Sequence, residues 1–281
     1  MTARLAVLWQ YLIPQRLVCA VIYRAARSTR GWFAGPLIRW FARQYKLDLG
    51  EAEPSALDQY ASLNALFTRA VKAEARPIAT GEDTVVAPAD GRITQFGTLT
   101  GDKLLQAKGL TYTLPALLGE DPGAPFENGI FATIYLAPHN YHRVHVPLAG
   151  RLLSTRFIPG ARFSVNEATA QGVPNLFCRN ERAVLSFEMA DPSQRYFLVM
   201  VGALNVSSVS TVTRGELPSG RAGFWQEDSK PDFATGDEAG RFNLGSTVVL
   251  VFPRDCLHWL PSLHADQPLK VGEKIAHLQH S

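Results

Sequence analysis

An α+β fold is predicted for this sequence: an N-terminal helical module over residues 1–79, followed by a mostly antiparallel β sandwich or barrel-like core over 80–281. Three observations predict it. The first 47 or so residues mix arginine with aromatic and aliphatic side chains at helix-like spacing. From about residue 80 the chain becomes short β-branched runs punctuated by Gly, Pro and Asn-Gly. No long helical pattern separates those runs, which argues against alternating βαβ units. With 281 residues, 46% hydrophobic and 19% charged, the chain can bury one large core or two smaller ones.

In the N-terminal module the net charge of +3 hides an asymmetry. Arg4, Arg16, Arg24, Arg27, Arg30, Arg39, Arg43 and Lys46 all precede the first acidic residue, Asp48. Trp9, Trp32 and Trp40 share the segment, and Pro14, Gly31, Gly35 and Pro36 are expected to break it into short helices. Such helices suit a membrane interface, with rings at headgroup level and guanidinium groups on anionic phosphates. They suit equally a layer that covers the protein body and merely solvates its arginines. No apolar run reaches the roughly 18 residues of a membrane-spanning helix. The apolar run 17–23 has arginine on both sides and no following cleavage site, so it reads as retained rather than as a signal peptide. After a polar joint at 47–54, Leu57, Tyr60, Leu63, Leu66, Phe67 and Val71 form a helical stripe over 56–71, and Arg76-Pro77 ends it.

Strands are predicted over 84–87, 91–96, 129–136, 150–157, 183–187, 196–201, 207–212 and 247–252, with the Gly-rich, polar 215–240 as a loop. Cys19, Cys178 and Cys256 are widely spaced and contain no CxxC pair, which supports neither a disulfide framework nor a cysteine zinc site.

Three places could carry chemistry. At Gly245-Ser246, immediately before an apolar run, an ordinary turn competes with a serine nucleophile that would attack the preceding carbonyl. Asp90 precedes Gly91 at a predicted strand start, where Asp-Gly is also a common turn. His139, His142 and His145 lie within one short stretch of a chain that has seven histidines. A zinc site would need three or four convergent ligands, and no partner segment supplies them. An Asp, a His and a Ser from separate segments are instead the parts of a nucleophilic triad, in which a base activates a hydroxyl that is weak at its free pKa.

The stretches Val86-Ala-Pro-Ala-Asp-Gly91, Tyr141-His-Arg-Val-His-Val-Pro147, Phe163-Ser-Val-Asn166, Val173-Pro-Asn-Leu-Phe177 and Leu244-Gly-Ser-Thr247 occur in this order. In these stretches the chain resembles the bacterial phosphatidylserine decarboxylases, and the resemblance runs from the basic N-terminus to just past Phe252.

The resemblance implies a proenzyme that cuts itself between Gly245 and Ser246. Asp90 would orient His145, and His145 would take the Ser246 proton. The hydroxyl then attacks the Gly245 carbonyl, and β-elimination and hydrolysis leave a pyruvoyl group derived from Ser246. That group, with no metal and no pyridoxal phosphate, would form a Schiff base with phosphatidylserine and accept electrons as CO2 leaves. His142 is the implied proton donor, while Phe163, Ser164 and Asn166 are the implied substrate contacts. Also implied are association of the two fragments after cutting, a homodimer, and a peripheral position on the cytoplasmic face of the bacterial plasma membrane. The anionic lipid surface is a partner and nucleic acid is not. Three rival readings are a serine hydrolase, which lacks its Gly-x-Ser-x-Gly elbow here, an uncut membrane-surface module, and a pyruvoyl enzyme acting on a free amino acid.

Overall fold

A computed structural model describes residues 3–107, 109–204, 208–217, 225–228, 230–244 and 246–279. Three helices open the chain: α1 (Ala3–Leu12), α2 (Gln15–Arg27) and α3 (Gly31–Gln44). Pro14 separates the first two, as its missing N–H and fixed φ require. Gly35 and Pro36 do not break the chain: Pro36 lies inside α3. Its ring removes the hydrogen bond to the Trp32 carbonyl, and Trp32 is 77% exposed, so water can replace the lost donor.

The continuous helix expected over 56–71 is absent. A 3-10 turn at Leu57–Gln59 is followed by α4 (Leu63–Phe67), and Ala70–Val71 pairs as a strand with Ala52–Glu53. Ser62 accepts the Ala65 amide at 3.1 Å and so starts α4 afresh, a local side-chain bond that outcompetes continuation of the earlier turn. The apolar stripe survives this rearrangement. Leu63, Leu66 and Phe67 pack with Ala26 of α2, with Ala34, Ile38 and Phe41 of α3, and with Leu244.

All eight predicted strands form, within two residues of the expected limits. The main sheet is antiparallel, in the spatial order Trp225–Asp228, Gly150–Ile158, Arg182–Glu188, Arg195–Val201, Ser246–Phe252, Ile130–Leu136, Gly91–Thr98 and Pro268–Leu269. It is open at its edges, so the barrel-like alternative is corrected to stacked, unclosed sheets. One apolar cluster lies on each face, with Val248, Leu250 and Phe252 in the first and Val249 and Val251 in the second. That alternation is the period of two of a strand buried on both sides. Parts of the expected loop 215–240 are also strands: Gly215–Glu216, Trp225–Asp228, Asp232–Phe233 and the start of Glu238–Asn243. Polar pairing partners hide them from a search for apolar alternation, as with Arg241 opposite Arg143 and Ser210.

Candidate active site

Ser246 heads the central strand, pairing with Leu136, while Thr247 pairs with Tyr135 on one side and Val201 on the other. Ser246 is 1% exposed, and its hydroxyl oxygen has no hydrogen-bond partner among the described residues. A cavity of about 220 Å³ opens over it, walled in part by Phe67, Pro138, Ser164, Val165 and Asn166. A larger cavity of about 560 Å³ adjoins at the shared residues Tyr135 and Val165 and receives Thr247 from the next position along the strand. Gly245 lies outside the described residues. Its other neighbour, Leu244, has φ of 91°, in the left-handed region that a branched side chain rarely enters.

His142 is fully buried, with its ring stacked on Phe67 at 3.9 Å between centroids. Its Nε2 lies 3.1 Å from the Ala137 carbonyl, which can only accept, so the proton sits on Nε2. The lone pair on Nδ1 has no partner. Burial, reinforced by the charge of Arg69, pushes the imidazole down to about 3, so it is neutral at physiological pH.

His145 follows the same logic with the tautomer reversed. Its Nδ1 donates to the Gly236 carbonyl at 2.7 Å, which leaves Nε2 to accept from the Tyr141 hydroxyl at 3.1 Å. Burial lowers its pKa too, opposed by the Gly236 carbonyl and the charges of Glu238 and Asp90. Asp90 is nearby but makes no hydrogen bond to this ring. Its carboxylate accepts from Arg76 Nε at 2.8 Å and from the Val271 amide at 2.9 Å, with a second arm of Arg76 on the other oxygen. Gly91 is required here by close approach rather than by a turn, since a Cβ there would meet the Tyr135 carbonyl oxygen at 2.4 Å.

Of the expected substrate contacts, Ser164 and Asn166 stand on the cavity wall, and Phe163 packs behind it with its ring 4.8 Å from Tyr11. His139 lines the larger cavity, and its charge acts on His142. Among the described residues no group of three or more His, Cys, Asp or Glu side chains gathers around a point. Arg76, Tyr141, Arg69 and Phe67 complete the site without having been foreseen in it. Only Tyr141 carried a usable signal, being four residues before His145.

The family model described as phosphatidylserine decarboxylase matches residues 63–277, and a second, described as PSD, matches 5–46. The chain belongs to the phosphatidylserine decarboxylase family. It is 46% identical over 279 residues to the phosphatidylserine decarboxylase proenzyme of Nitrosococcus oceani, covering 96% of this chain and 90% of that protein. Against the proenzymes of Herminiimonas arsenicoxydans and Acidovorax ebreus the identity is 44%, over 98% and 99% of this chain and 95% and 99% of theirs. The decarboxylase match takes in Asp90, His142, His145 and Ser246, and the shorter match spans most of α1 through α3. The Ser246 hydroxyl of this decarboxylase-family chain is buried, has no hydrogen-bond partner among the described residues, and borders a cavity.

Proposed function

We propose that this chain is a proenzyme which cuts itself before Ser246 and then converts phosphatidylserine to phosphatidylethanolamine and CO2. The observation that carries the reading is the placement of Ser246: first residue of a fully buried central strand, hydroxyl unpartnered, at the floor of a cavity, one residue beyond the scissile bond's glycine and two beyond a backbone angle of 91°.

In self-cleavage, His145 is the base. The Gly236 carbonyl holds its proton on Nδ1, so the Nε2 lone pair is the one available to receive the Ser246 proton once Tyr141 yields it. Asp90, held by Arg76 and the Val271 amide, stabilises by charge the imidazolium that forms; a direct bond to His145 would require it to turn from Arg76. A five-membered transition state at the preceding carbonyl asks for unusual backbone angles. Leu244 already supplies strain on the order of 1–3 kcal/mol beside it. Fragment 246–281 stays bound after cutting, because its first strand is sandwiched between Arg195–Val201 and Ile130–Leu136, while Lys274–Leu278 pairs with Thr84–Val86.

The pyruvoyl group that replaces Ser246 supplies an electron sink for decarboxylation. The chain's own residues do the rest. Ser164 and Asn166 offer polar contacts to the headgroup, and Phe67, Val165 and Pro138 exclude water. The Nδ1 of His142, without a hydrogen-bond partner among the described residues, would relay a solvent proton to the substrate α-carbon after CO2 has left, the ring returning to its neutral form.

Residues 1–79 are the membrane-associating part and 80–281 the catalytic part. Apart from Leu105 and Val212, every large apolar side chain found exposed precedes Lys46, with Trp9 at 59%, Leu12 at 76% and Trp32 at 77%. Arginines interleave with them, and no described helix is long and apolar enough to cross a bilayer. The exposed rings and interleaved arginines support peripheral binding to an anionic leaflet, and the family resemblance alone assigns that leaflet to the cytoplasmic face of the plasma membrane.

Mass spectrometry of purified protein, with and without borohydride, tests the reading. The expected result is two fragments, with the 246–281 piece blocked at its N-terminus and gaining hydrogen on reduction. Active protein that runs as one species of 30.9 kDa would exclude it.

A further inference from the structure

Beside the exposed Trp9 and Leu12, α1 carries one buried polar side chain, Gln10, only 7% exposed. One end of its amide is bonded to the wall of the Ser246 cavity and the other to Thr169, behind that wall. Its Oε1 accepts the Ser164 amide at 2.8 Å, and its Nε2 donates to Thr169 Oγ1 at 3.1 Å. The Thr169 hydroxyl has one proton and spends it on Asn166 Oδ1 at 2.9 Å, so the bonds run in one direction from Gln10 through Thr169 to Asn166. The same Asn166 oxygen caps the short helix Glu167–Gly172 through the Thr169 amide at 3.0 Å. One residue into α2's first turn the pattern repeats, with Gln15 Oε1 accepting the Arg162 amide at 2.9 Å. Tyr11 packs on Phe163 with the rings tilted at 56°, and the Arg179 guanidinium lies 5.0 Å over the same Phe163 ring.

Apolar contacts tolerate sliding, whereas a buried amide bonded at both ends fixes one register, since breaking it strands polar groups away from water. The helix bearing the most exposed apolar side chains is therefore locked to the two polar residues that overlook Ser246.

We propose that Gln10 is a positioning residue for decarboxylation: through Thr169 it sets the orientation of Asn166, and through the Ser164 amide the height of the cavity wall. Seating α1 on a lipid surface then shapes the chamber that receives the phospholipid headgroup. The inference rests on the reading that this cavity is the substrate chamber.

The test uses the full chain with Gln10→Met, which keeps volume and removes both bonds, and Thr169→Val, which leaves the Ser164 bond and breaks the link to Asn166. Four readouts are taken: extent of self-cleavage, thermal midpoint, co-sedimentation with phosphatidylserine vesicles, and turnover of phosphatidylserine in detergent micelles. Both variants are expected to cut fully and to sediment like wild type. Their kcat should fall about tenfold or more in vesicles and micelles alike, the loss expected when buried hydrogen bonds are broken, and Thr169→Ser should restore it. Wild-type kcat in Gln10→Met and Thr169→Val would overturn the proposal. So would a loss confined to vesicles and matched by weaker sedimentation, since α1 would then be an anchor only. A wild-type protein that fails to cut, or cuts but leaves phosphatidylserine untouched, would instead defeat the functional reading beneath it.

Discussion

Leu244 is buried in the cluster formed by α2, α3 and α4, and holds φ at 91° two residues before Ser246. Glycine adopts that angle without cost, so Leu244→Gly is expected to slow self-cleavage by up to about tenfold, the equivalent of 1–2 kcal/mol of strain no longer released. A gel time course of fragment appearance reads it, and an unchanged rate would show that the angle plays no part. Ser246→Ala and His145→Ala should remain uncut. His142→Ala should cut normally yet decarboxylate roughly 100-fold or more slowly, the usual weight of one proton-transfer group; full turnover in that variant would move the proton to another residue. Asp90, His142, His145 and Ser246 were legible as candidates because each sits in a short local motif. Their partners were not: Asp90 is held by Arg76, 14 residues away, and by the amide of Val271, 181 away. No local pattern encodes such a distant bond.

The strand Ser246–Phe252 shows what was readable in a single element. All seven residues are buried, and the five from Val248 to Phe252 are an unbroken apolar run that identifies a strand covered on both faces. The hairpin Lys103–Ala107 with Leu110–Thr113, and the edge strands of 215–240, carry mixed polarity because one side meets solvent or polar partners, so periodicity missed them. Introducing a charge into the central strand, as in Val249→Asp, is expected to cost about 4 kcal/mol or more through an unpaired buried carboxylate, read as loss of soluble folded protein. Cut wild type should co-elute as one particle in native buffer and release 246–281 only in denaturant. Deleting residues 1–46 would remove more than a membrane contact. Ala34, Ile38 and Phe41 cover Leu244, so the deletion is also expected to disturb cutting.

Across the whole molecule, charge and protonation set the working conditions. The folded pKa of His142 lies below its ordinary value of 6.5, so the unfolded chain binds a proton that the folded one refuses. Its stabilising contribution is complete above about pH 6.5 and is lost as pH falls toward about 3, at roughly 1.4 kcal/mol per pH unit, and a His142→Phe variant should show a flatter acid limb in chemical denaturation. An ionic chain ties three regions of the molecule together: Lys270 meets Glu51 at 2.8 Å, Glu51 meets Arg76 at 2.7 Å, and Arg76 holds Asp90. Replacing Arg76 by Met would leave Asp90 buried without its counter-ion. A loss of about 3–5 kcal/mol is expected, with slow or absent cutting. Binding to anionic vesicles should weaken as salt rises, because the N-terminal arginines act through a field screened within about 10 Å at 0.1 M.

By itself the sequence determined the helical N-terminus and most strands of the central sheet, and its contiguous motifs nominated the candidate site residues, because apolar periodicity and short motifs are local properties of a chain. Tertiary structure alone decided that the sheet stays open, that Arg76 rather than His145 holds Asp90, and which nitrogen of each histidine keeps its proton. The physical reason is that strand pairing at the sheet edges, and the polar group that stands within hydrogen-bond reach of Asp90, His145 and His142, are set by how the folded chain packs and not by apolar periodicity.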